Sequence, residues 1–591
     1  MNMKRLTRYS LRNVLELSTE RYGNRTALAM IGDPQSTITY GRMRQMVDSI
    51  ATYLMDQGIE KGDRVAILAE SQPYWGVAFF AIISCGAVAV PILPDFSSKE
   101  IGTILEHSGS KGVVVSSKVF EKCQAYVSDS SHLVFRLDDL FHIPSAIASA
   151  LSTAKDFINA PGRDTVRTKA DPSRIAARES GEEDLASIIY TSGTTGSSKG
   201  VMLTHKNITS NADSSTEQFV KLKAGYRFLS ILPLSHSYEF TIGFILPMII
   251  GGEVHYLGKP PVPSLLLPAL KTIRPQMMLS VPLLMEKIYR SSVAPQISKN
   301  PKISKLYGHA FTRKLINRMI GRKLKKTFGG KLKFFGIGGS ALDLTVEKFL
   351  KESKFPYAIG YGLTETSPLL AGAGPSQTRP GTTGFALQGV SLRIAPPESG
   401  HGEGEIQAKG PNVMRGYYKN EQLTKESFTE DGWFRTGDLG ELNHGRLAIK
   451  GRQKTMILGP SGENIYPELI ETLINNRPFV QESLVVPGDG GLAAMIKIDL
   501  ELMAENLKLS VAEARDEASA YLSKIRDEVN KELSSFSRIS DVALQDEPFQ
   551  RTPTLKIKRY LYSLKNSIVH RKPEPTASDK PQGKDNRSES V

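Results

Sequence analysis

Residues 187–200 read Ser-Ile-Ile-Tyr-Thr-Ser-Gly-Thr-Thr-Gly-Ser-Ser-Lys-Gly. The run Ser187–Tyr190 has the composition of a buried strand, and a glycine- and hydroxyl-rich turn follows it directly. Gly193, Gly196 and Gly200 let the backbone fold tightly, and the serines and threonines between them add O–H donors to the backbone N–H groups. Such a turn can aim many donors at polyphosphate oxygens. Lys199 contributes a point charge. The segment is not a Walker A loop: counted from Gly193, that pattern needs glycine at 198, where this chain has Ser198. A flexible Ser/Gly linker would need neither a buried strand before it nor a single lysine framed by glycine, so phosphate binding is the expectation.

Outward from this turn, short apolar strands alternate with amphipathic helices. Arg64–Ala69, Gly112–Val115 and Leu332–Ile337 read as buried strands ending in turns. The alternation predicts an α/β fold: a large N-terminal domain of layered α/β subdomains with mainly parallel sheets, over residues 1–453. The most apolar stretch, Trp75–Pro94, is broken by Gly86, Pro91 and Pro94. It reads as a buried helix Trp75–Ser84 turning at Cys85-Gly86 into a buried strand Ala87–Ile92, not as a membrane span. Leu11, Val14, Leu15 and Leu17 predict an amphipathic first helix in place of a targeting peptide. Residues 141–184 are polar and read as a surface excursion or linker. From about Ala448 a short basic stretch leads into Gly462–Asn476, the strand Ser483–Val486 and a Glu/Lys/Ala-rich helical region, predicting a small α+β domain over 454–566. Residues 567–591 lack apolar periodicity and read as a disordered tail.

The chain has 591 residues, 75 Lys+Arg against 61 Asp+Glu and a net charge of +14. Cys85 and Cys123 cannot form a disulfide framework or a cysteine-rich metal site, and a reducing cytoplasmic setting is the expectation. The charge excess points to an anionic partner. Residues 299–333 hold twelve Lys/Arg and no acid, which leaves +2 for the rest of the chain. Within them Phe311, Leu315, Ile316, Met319, Ile320 and Leu324 fit a helical apolar face, a basic amphipathic helix. Two readings stay open: a helix packed on its own domain with a solvated basic face, or a docking surface. The docking partner would be an anionic membrane, placing the protein peripherally on the inner face, or an acidic carrier protein. Nothing resembles a nucleic-acid recognition motif.

Three further motifs follow strands or turns. Gly336-Ile-Gly-Gly-Ser-Ala341 fits the looser dinucleotide fingerprint, but the next strand, Pro356–Ile359, ends in Gly360-Tyr-Gly with no carboxylate for a ribose diol. A glycine-rich turn that lets backbone approach a flat base remains open. Tyr361-Gly-Leu-Thr-Glu-Thr366 combines an aromatic ring, two hydroxyls and one acid, Glu365, a set that can stack a base, bind phosphate and hold Mg2+ alongside substrate oxygens. Trp433–Leu439 offers Asp438 as an acceptor for ribose hydroxyls. Alone, either of these last two is as readily a structural turn.

Together, in this order, they resemble the adenylate-forming superfamily of acyl-CoA synthetases, luciferases and peptide-synthetase adenylation domains. The matching runs are YTSGTTGSSKGVMLTH, LPLSHSYE, GIGGSAL, YGLTETSP, VMRGYYKNEQLTKESFTEDGWFRTGDLG, KGRQKTMILGPSGENIYPELIE and RTPTLKIKR, covering roughly residues 10–565. LPLSHSYE, GENIYPELIE and TPTLKIKR look most like the long-chain fatty acyl-CoA synthetase branch. The resemblance implies that ATP and a fatty carboxylate give acyl-AMP and pyrophosphate, and that a thiol, of CoA or of acyl carrier protein, then displaces AMP.

By the same resemblance, Thr191, Ser192, Gly193, Thr194, Thr195, Gly196 and Lys199 wrap the β- and γ-phosphates, and Thr194 with Glu365 positions Mg2+. Tyr361, Gly362 and the turn Gly338, Gly339, Ser340, Ala341 flank adenine, Thr364 meets the α-phosphate, and Asp438 with Arg452 holds the ribose. Lys556 aligns with the catalytic lysine; Leu555 stands where most members have glycine, and Lys558 is the rival. Lys454 corresponds to the hinge about which the small C-terminal domain moves. His236 falls at the acyl and thiol passage, where we expect packing in place of proton transfer. The reading from another class is a non-catalytic acyl- or nucleotide-binding protein that kept the fold.

Overall fold

Arg64–Leu68, Val88–Ile92 and Ser110–Val115 are dominated by β-branched and small apolar residues, and they are almost wholly buried. A strand apolar on both faces needs cover on both sides, which parallel sheets with crossover helices supply. In the computed structural model of the chain these strands are the centre of a nine-stranded sheet. The structure describes residues 6–127, 132–192, 198–218, 222–298, 300–396, 403–458, 464–488, 491–552 and 557–562. Pairing is parallel from Leu185–Ser192 through Val88–Ile92, Arg64–Leu68 and Ser110–Val115 to Leu133–Arg136, and antiparallel beyond both ends.

A thirteen-stranded sheet has the same plan. Its parallel middle runs from Thr26–Met30 through Glu253–Tyr256, Arg227–Ser230, Met277–Ser280 and Phe334–Ile337 to Tyr357–Gly362. Past Tyr357–Gly362 every pairing is antiparallel, through Leu369–Gly372, Gly384–Ala386, Arg446–Arg452 and Phe434–Asn443. Leu369–Gly372 is still fully buried, whereas Arg446–Arg452 and Phe434–Asn443 are only half buried, the pattern of antiparallel strands with one wet face. The parallel layering expected from the sequence is therefore the middle of each sheet, with antiparallel flanks added. The helix Pro73–Ser84 ends at Cys85, Gly86 takes a positive φ, and the strand Val88–Ile92 follows. Trp75 and Phe79 stack at 5.7 Å, and Phe79 meets Phe240 at 4.7 Å, in the largest core. Among the described residues no helix is long and apolar enough to cross a membrane.

Two expectations need correction. Residues 141–184 are not a loose excursion. Phe141–Ile143 and Arg163–Asp164 extend the nine-stranded sheet, and Ile143, Ala148, Phe157 and Ile175 are buried. Phe157 stacks face to face on Phe120 at 4.0 Å, and buried Arg136 donates to the carbonyls of Phe157 and Ala160. These anchors are single residues set far apart, so no periodicity marks them. The helix Ala310–Thr327 does not gather its six apolar residues on one buried face. Leu324 and Ile320 pack inward, whereas Phe311, Leu315 and Met319 are exposed.

The chain divides into two compact units, one running to Lys454 and a second starting at Thr455. In the second, Val480–Gly488 and Gly491–Ile498 form an antiparallel pair, and Ile539–Leu544 joins in parallel. Helices Pro467–Asn475 and Val511–Asn530 supply Ile470, Ile474, Leu522 and Ile525 to its core. Arg559 donates to both carboxylate oxygens of Glu471, at 2.7 and 2.6 Å, tying Ile557–Tyr562 to the first of these helices.

The anchoring of residues 141–184 to the core through a few buried side chains is testable. Phe157→Ala should lower the unfolding free energy by about 3 kcal/mol in a urea titration. A loss within about 0.5 kcal/mol, as at an ordinary surface position, would return the segment to a linker.

Candidate active site

The strand Leu185–Ser192 turns back antiparallel as Ser198–Thr204, with Ser192 opposite Ser198 and Thr191 opposite Lys199. The glycine-rich segment therefore joins two sheet strands, unlike a Walker A turn, which feeds a helix. Gly193, Thr194, Thr195 and Gly196 lie outside the described residues. Gly200 closes the hairpin tightly: a Cβ there would stand 2.9 Å from Ile188 Cγ2 and 3.1 Å from Tyr190 Cζ. Tyr190 hydrogen-bonds through its hydroxyl to His107 Nδ1 at 2.7 Å, under the start of the turn.

Lys199 is half buried, with Nζ 5.4 Å from the centre of the Tyr417 ring. Burial, then the charge of Lys454, lowers the Lys199 ammonium below the ordinary lysine value, while Glu365 opposes the shift. Tyr417 comes from the two-residue strand Gly416–Tyr417, which pairs with Val201 and Met202. Its hydroxyl donates to Glu365 Oε1 at 2.9 Å, and burial followed by that carboxylate pushes the phenol well above its usual value. Tyr417 thus joins Lys199 to Glu365. Sequence reasoning misses this role, because nothing in a Gly-Tyr-Tyr triplet says which ring turns inward.

Two parallel neighbours, Phe334–Ile337 and Tyr357–Gly362, end side by side, so the turn Gly338–Ala341 and the segment Tyr361–Thr366 both leave the carboxyl edge of the sheet. Ligands of open α/β sheets bind at that edge. Gly338 is buried and donates its N–H to the Ser280 carbonyl, Gly339 has φ +94°, and Gly339, Ser340 and Ala341 are exposed. Gly362 admits no side chain: a Cβ would fall 1.8 Å from the Pro368 carbonyl oxygen. Thr364 Oγ1 lies 3.4 Å from Ser237 Oγ, which brings the Leu232–Glu239 segment to the site. His236, in that segment, is half buried at the start of a turn, where its carbonyl accepts from Phe240 N–H.

Asp438 is the most constrained group. It is buried on Phe434–Asn443, directly across from Arg452 in the strand register. Tyr361 Oη donates to Oδ2 at 2.8 Å and Arg452 Nε donates to Oδ1 at 2.8 Å. Asp438 firms the hold of the Arg452 guanidinium on its proton, and burial followed by Asp438 pushes the Tyr361 hydroxyl well up. Lys454, two residues past Arg452, is exposed. Lys556 lies outside the described residues; Lys558 is half buried, with its N–H on the Gln550 carbonyl. Among the described residues no three His, Cys, Asp or Glu side chains converge as a metal cage.

A glycine-rich hairpin on one sheet and a tyrosine-bound carboxylate on the other are the features expected of the adenylate-forming class. The AMP-binding enzyme family matches residues 15–418, and the chain belongs to that family. It is 29% identical over 563 residues to the long-chain-fatty-acid–CoA ligase FadD15 of Mycobacterium tuberculosis, covering 88% of this chain and 90% of that one. It is 28% identical over 629 residues to the chloroplastic long-chain-fatty-acid–[acyl-carrier-protein] ligase AEE15 of Arabidopsis thaliana, covering 92% and 83%. The fold is that of ATP-bound MatB from Rhodopseudomonas palustris, with TM-score 0.71, 24% identity and 95% and 99% coverage. It is also that of the AMP complex of Bacillus subtilis MenE, with TM-score 0.69, 22% identity and 93% and 97% coverage.

Glu239, at the end of Leu232–Glu239, yields a pH prediction. It is buried at the head of a π-helical stretch, Glu239–Ile245, and burial pushes its carboxyl up to about 8. Because the folded value is raised, the group favours the folded state below the unfolded pKa, and that contribution is lost as pH rises through the folded one. Glu239→Gln should match wild type in urea unfolding near pH 4.5 and become progressively the more stable protein up to about 8. A gap that does not change with pH contradicts this.

Proposed function

We propose that the protein activates a long-chain fatty acid with ATP and passes the acyl group to the thiol of CoA. It acts as an AMP-forming acid–thiol ligase. One observation carries the reading at the level of the site: the five residues Tyr361–Glu365 span from the Asp438 carboxylate to the Glu365–Tyr417–Lys199 cluster. A carboxylate suited to ribose hydroxyls and a cation suited to phosphates thus stand at the two ends of one short segment, as a nucleoside triphosphate requires. Both Asp438 oxygens are already oriented by donors, and a carboxylate has about four acceptor positions, so acceptor capacity remains for the ribose.

The chemistry is a meeting of anions. A fatty carboxylate oxygen attacks the α-phosphorus, the new acyl–phosphate bond forms, and the bond to the β-phosphate breaks to release pyrophosphate. The thiol sulfur then bonds to the acyl carbon, the bond from that carbon to the phosphate oxygen breaks, AMP leaves with that oxygen, and the thiol proton passes to water. Repulsion between carboxylate and triphosphate has to be offset by cations fixed beforehand. Lys199 is suited to be one of them, since burial and Lys454 leave its charge undercompensated and bound phosphate oxygens would supply the missing partner. Thr191, Ser192, Gly193, Thr194, Thr195 and Gly196 would add donors around the β- and γ-phosphates, and Thr364 would meet the α-phosphate. Tyr361 and the exposed turn Gly339–Ala341 would flank adenine, with Gly362 and Gly338 leaving room, and Arg452 would share the ribose with Asp438. Mg2+ would rest on Glu365, Thr194 and phosphate oxygens, where it would neutralise developing charge. Lys556 would bridge carboxylate and α-phosphate, and rotation of the second unit about Lys454 would withdraw it before thiol attack. His236 would line the acyl passage. A carrier-protein thiol is the second reading, favoured by the likeness to the Arabidopsis acyl-carrier-protein ligase.

Purified protein given ATP, Mg2+ and a chain-length series of fatty acids should form AMP with CoA and catalyse acid-dependent pyrophosphate exchange without it; a carrier protein is run in parallel. Lys556→Ala should abolish exchange, a loss on the order of 100-fold or more, and leave thioester formation from supplied acyl-AMP largely intact. Equal loss of both half-reactions would sink the two-conformation reading. No AMP formation with either acceptor, together with no pyrophosphate exchange with any of the acids, would leave a binding protein.

A further inference from the structure

The helix Ala310–Thr327 is bound to its unit along one side only. Asn317, Gly321 and Leu324 are buried. Asn317 accepts from Tyr307 Oη and donates to Glu352, which also takes two donors of Arg313. Gly321 packs so closely that a Cβ would lie 2.6 Å from Ser353. At 100° per residue, Phe311, Leu315 and Met319 fall about half a turn away from that side. They are 74%, 44% and 67% exposed, three large apolar side chains one helical turn apart. Lys314, Arg318, Arg322, Lys323 and Lys326 beside them are exposed as well. Among the described residues only Arg313 of residues 300–333 makes a salt bridge, and that stretch contains no acid.

We propose that this outward face docks on an anionic lipid bilayer. Phe311, Leu315 and Met319 enter the boundary between headgroups and acyl chains, and the flanking lysines and arginines lie over lipid phosphates. Three observations select a bilayer over an acidic protein. The apolar groups form a ridge, whereas an anchor for a protein partner is fully desolvated in a fitted pocket. The cations flank the ridge on long flexible stems that can snorkel upward to phosphates while the ridge sinks. The excess is unrelieved by any carboxylate along the face, the composition that draws segments to anionic leaflets. The choice also rests on the fatty-acid reading, since a long-chain acid is dissolved in such a bilayer.

The full-length protein is sedimented with vesicles of phosphatidylcholine alone, or with about 30% phosphatidylglycerol, at about 0.1 M salt. Binding to the anionic vesicles should exceed binding to the neutral ones by about tenfold or more and fall with added salt. Combining Phe311→Ser, Leu315→Ser and Met319→Ser should reduce binding by about tenfold, as should Arg318→Glu with Arg322→Glu. Both variants should keep the wild-type melting temperature and form AMP normally from a shorter acid dissolved in water. Equal binding to both vesicle types, wild-type binding by either variant, or capture of an isolated acidic carrier protein in place of vesicles overturns the proposal. Vesicle binding without AMP formation would leave the docking face standing and remove the ligase reading; AMP formation without vesicle binding does the reverse.

Discussion

The carboxylate of Asp438 is the point on which the large unit turns. A buried carboxylate without partners is costly, and here Tyr361 and Arg452 each supply one oxygen with a donor. Tyr361 lies on the strand where the parallel middle of the thirteen-stranded sheet stops, and Asp438 and Arg452 lie on antiparallel strands beyond it. One carboxyl side chain therefore fastens the two halves of the sheet. Just past Arg452, Gln453 N–H bonds to the Gly437 carbonyl, and the first unit's main run ends at Lys454. Lys454 in turn bears on the charge of Lys199.

The rest of the site follows by short connections. Tyr361 is followed at once by Gly362, whose approach to Pro368 excludes every other residue, so the chain must turn there and present Thr364 and Glu365. Glu365 is held by Tyr417, and Tyr417 sits beside the hairpin that carries Lys199. Each link is a hydrogen bond or close contact made by the protein's own side chains. A reaction between two anions benefits from cations and dipoles that need no rearrangement at the moment of bond making.

Much of this was legible in the amino-acid order. Buried strands announced themselves by uninterrupted apolar residues, the helix and turn at Trp75–Ile92 by length and Gly86, and the site by glycines and acids placed just after strands. What was hidden had a common physical cause: contacts between residues remote in sequence. Phe157 is one aromatic in a polar run, and its partner Phe120 lies 37 positions earlier. Tyr417 gains meaning only from Lys199 and Glu365. The outer antiparallel strands Phe434–Asn443 and Arg446–Arg452 are half exposed and leave weaker patterns than the buried middle. On Ala310–Thr327 the count of apolar residues was right for an amphipathic helix, but periodicity cannot tell which of two edges meets the protein. Packing against Glu352 and Ser353 decides that.

The central claim, that Asp438 is held in place as the acceptor for the nucleotide's ribose hydroxyls, is met most directly by calorimetric titration of ATP and its 2′,3′-dideoxy analogue into wild type and Asp438→Asn. The account predicts that wild type prefers ATP by about tenfold or more, the value of a hydrogen bond to a charged group, and that the variant loses most of that preference. The same preference in both proteins would place the ribose elsewhere and contradict the account.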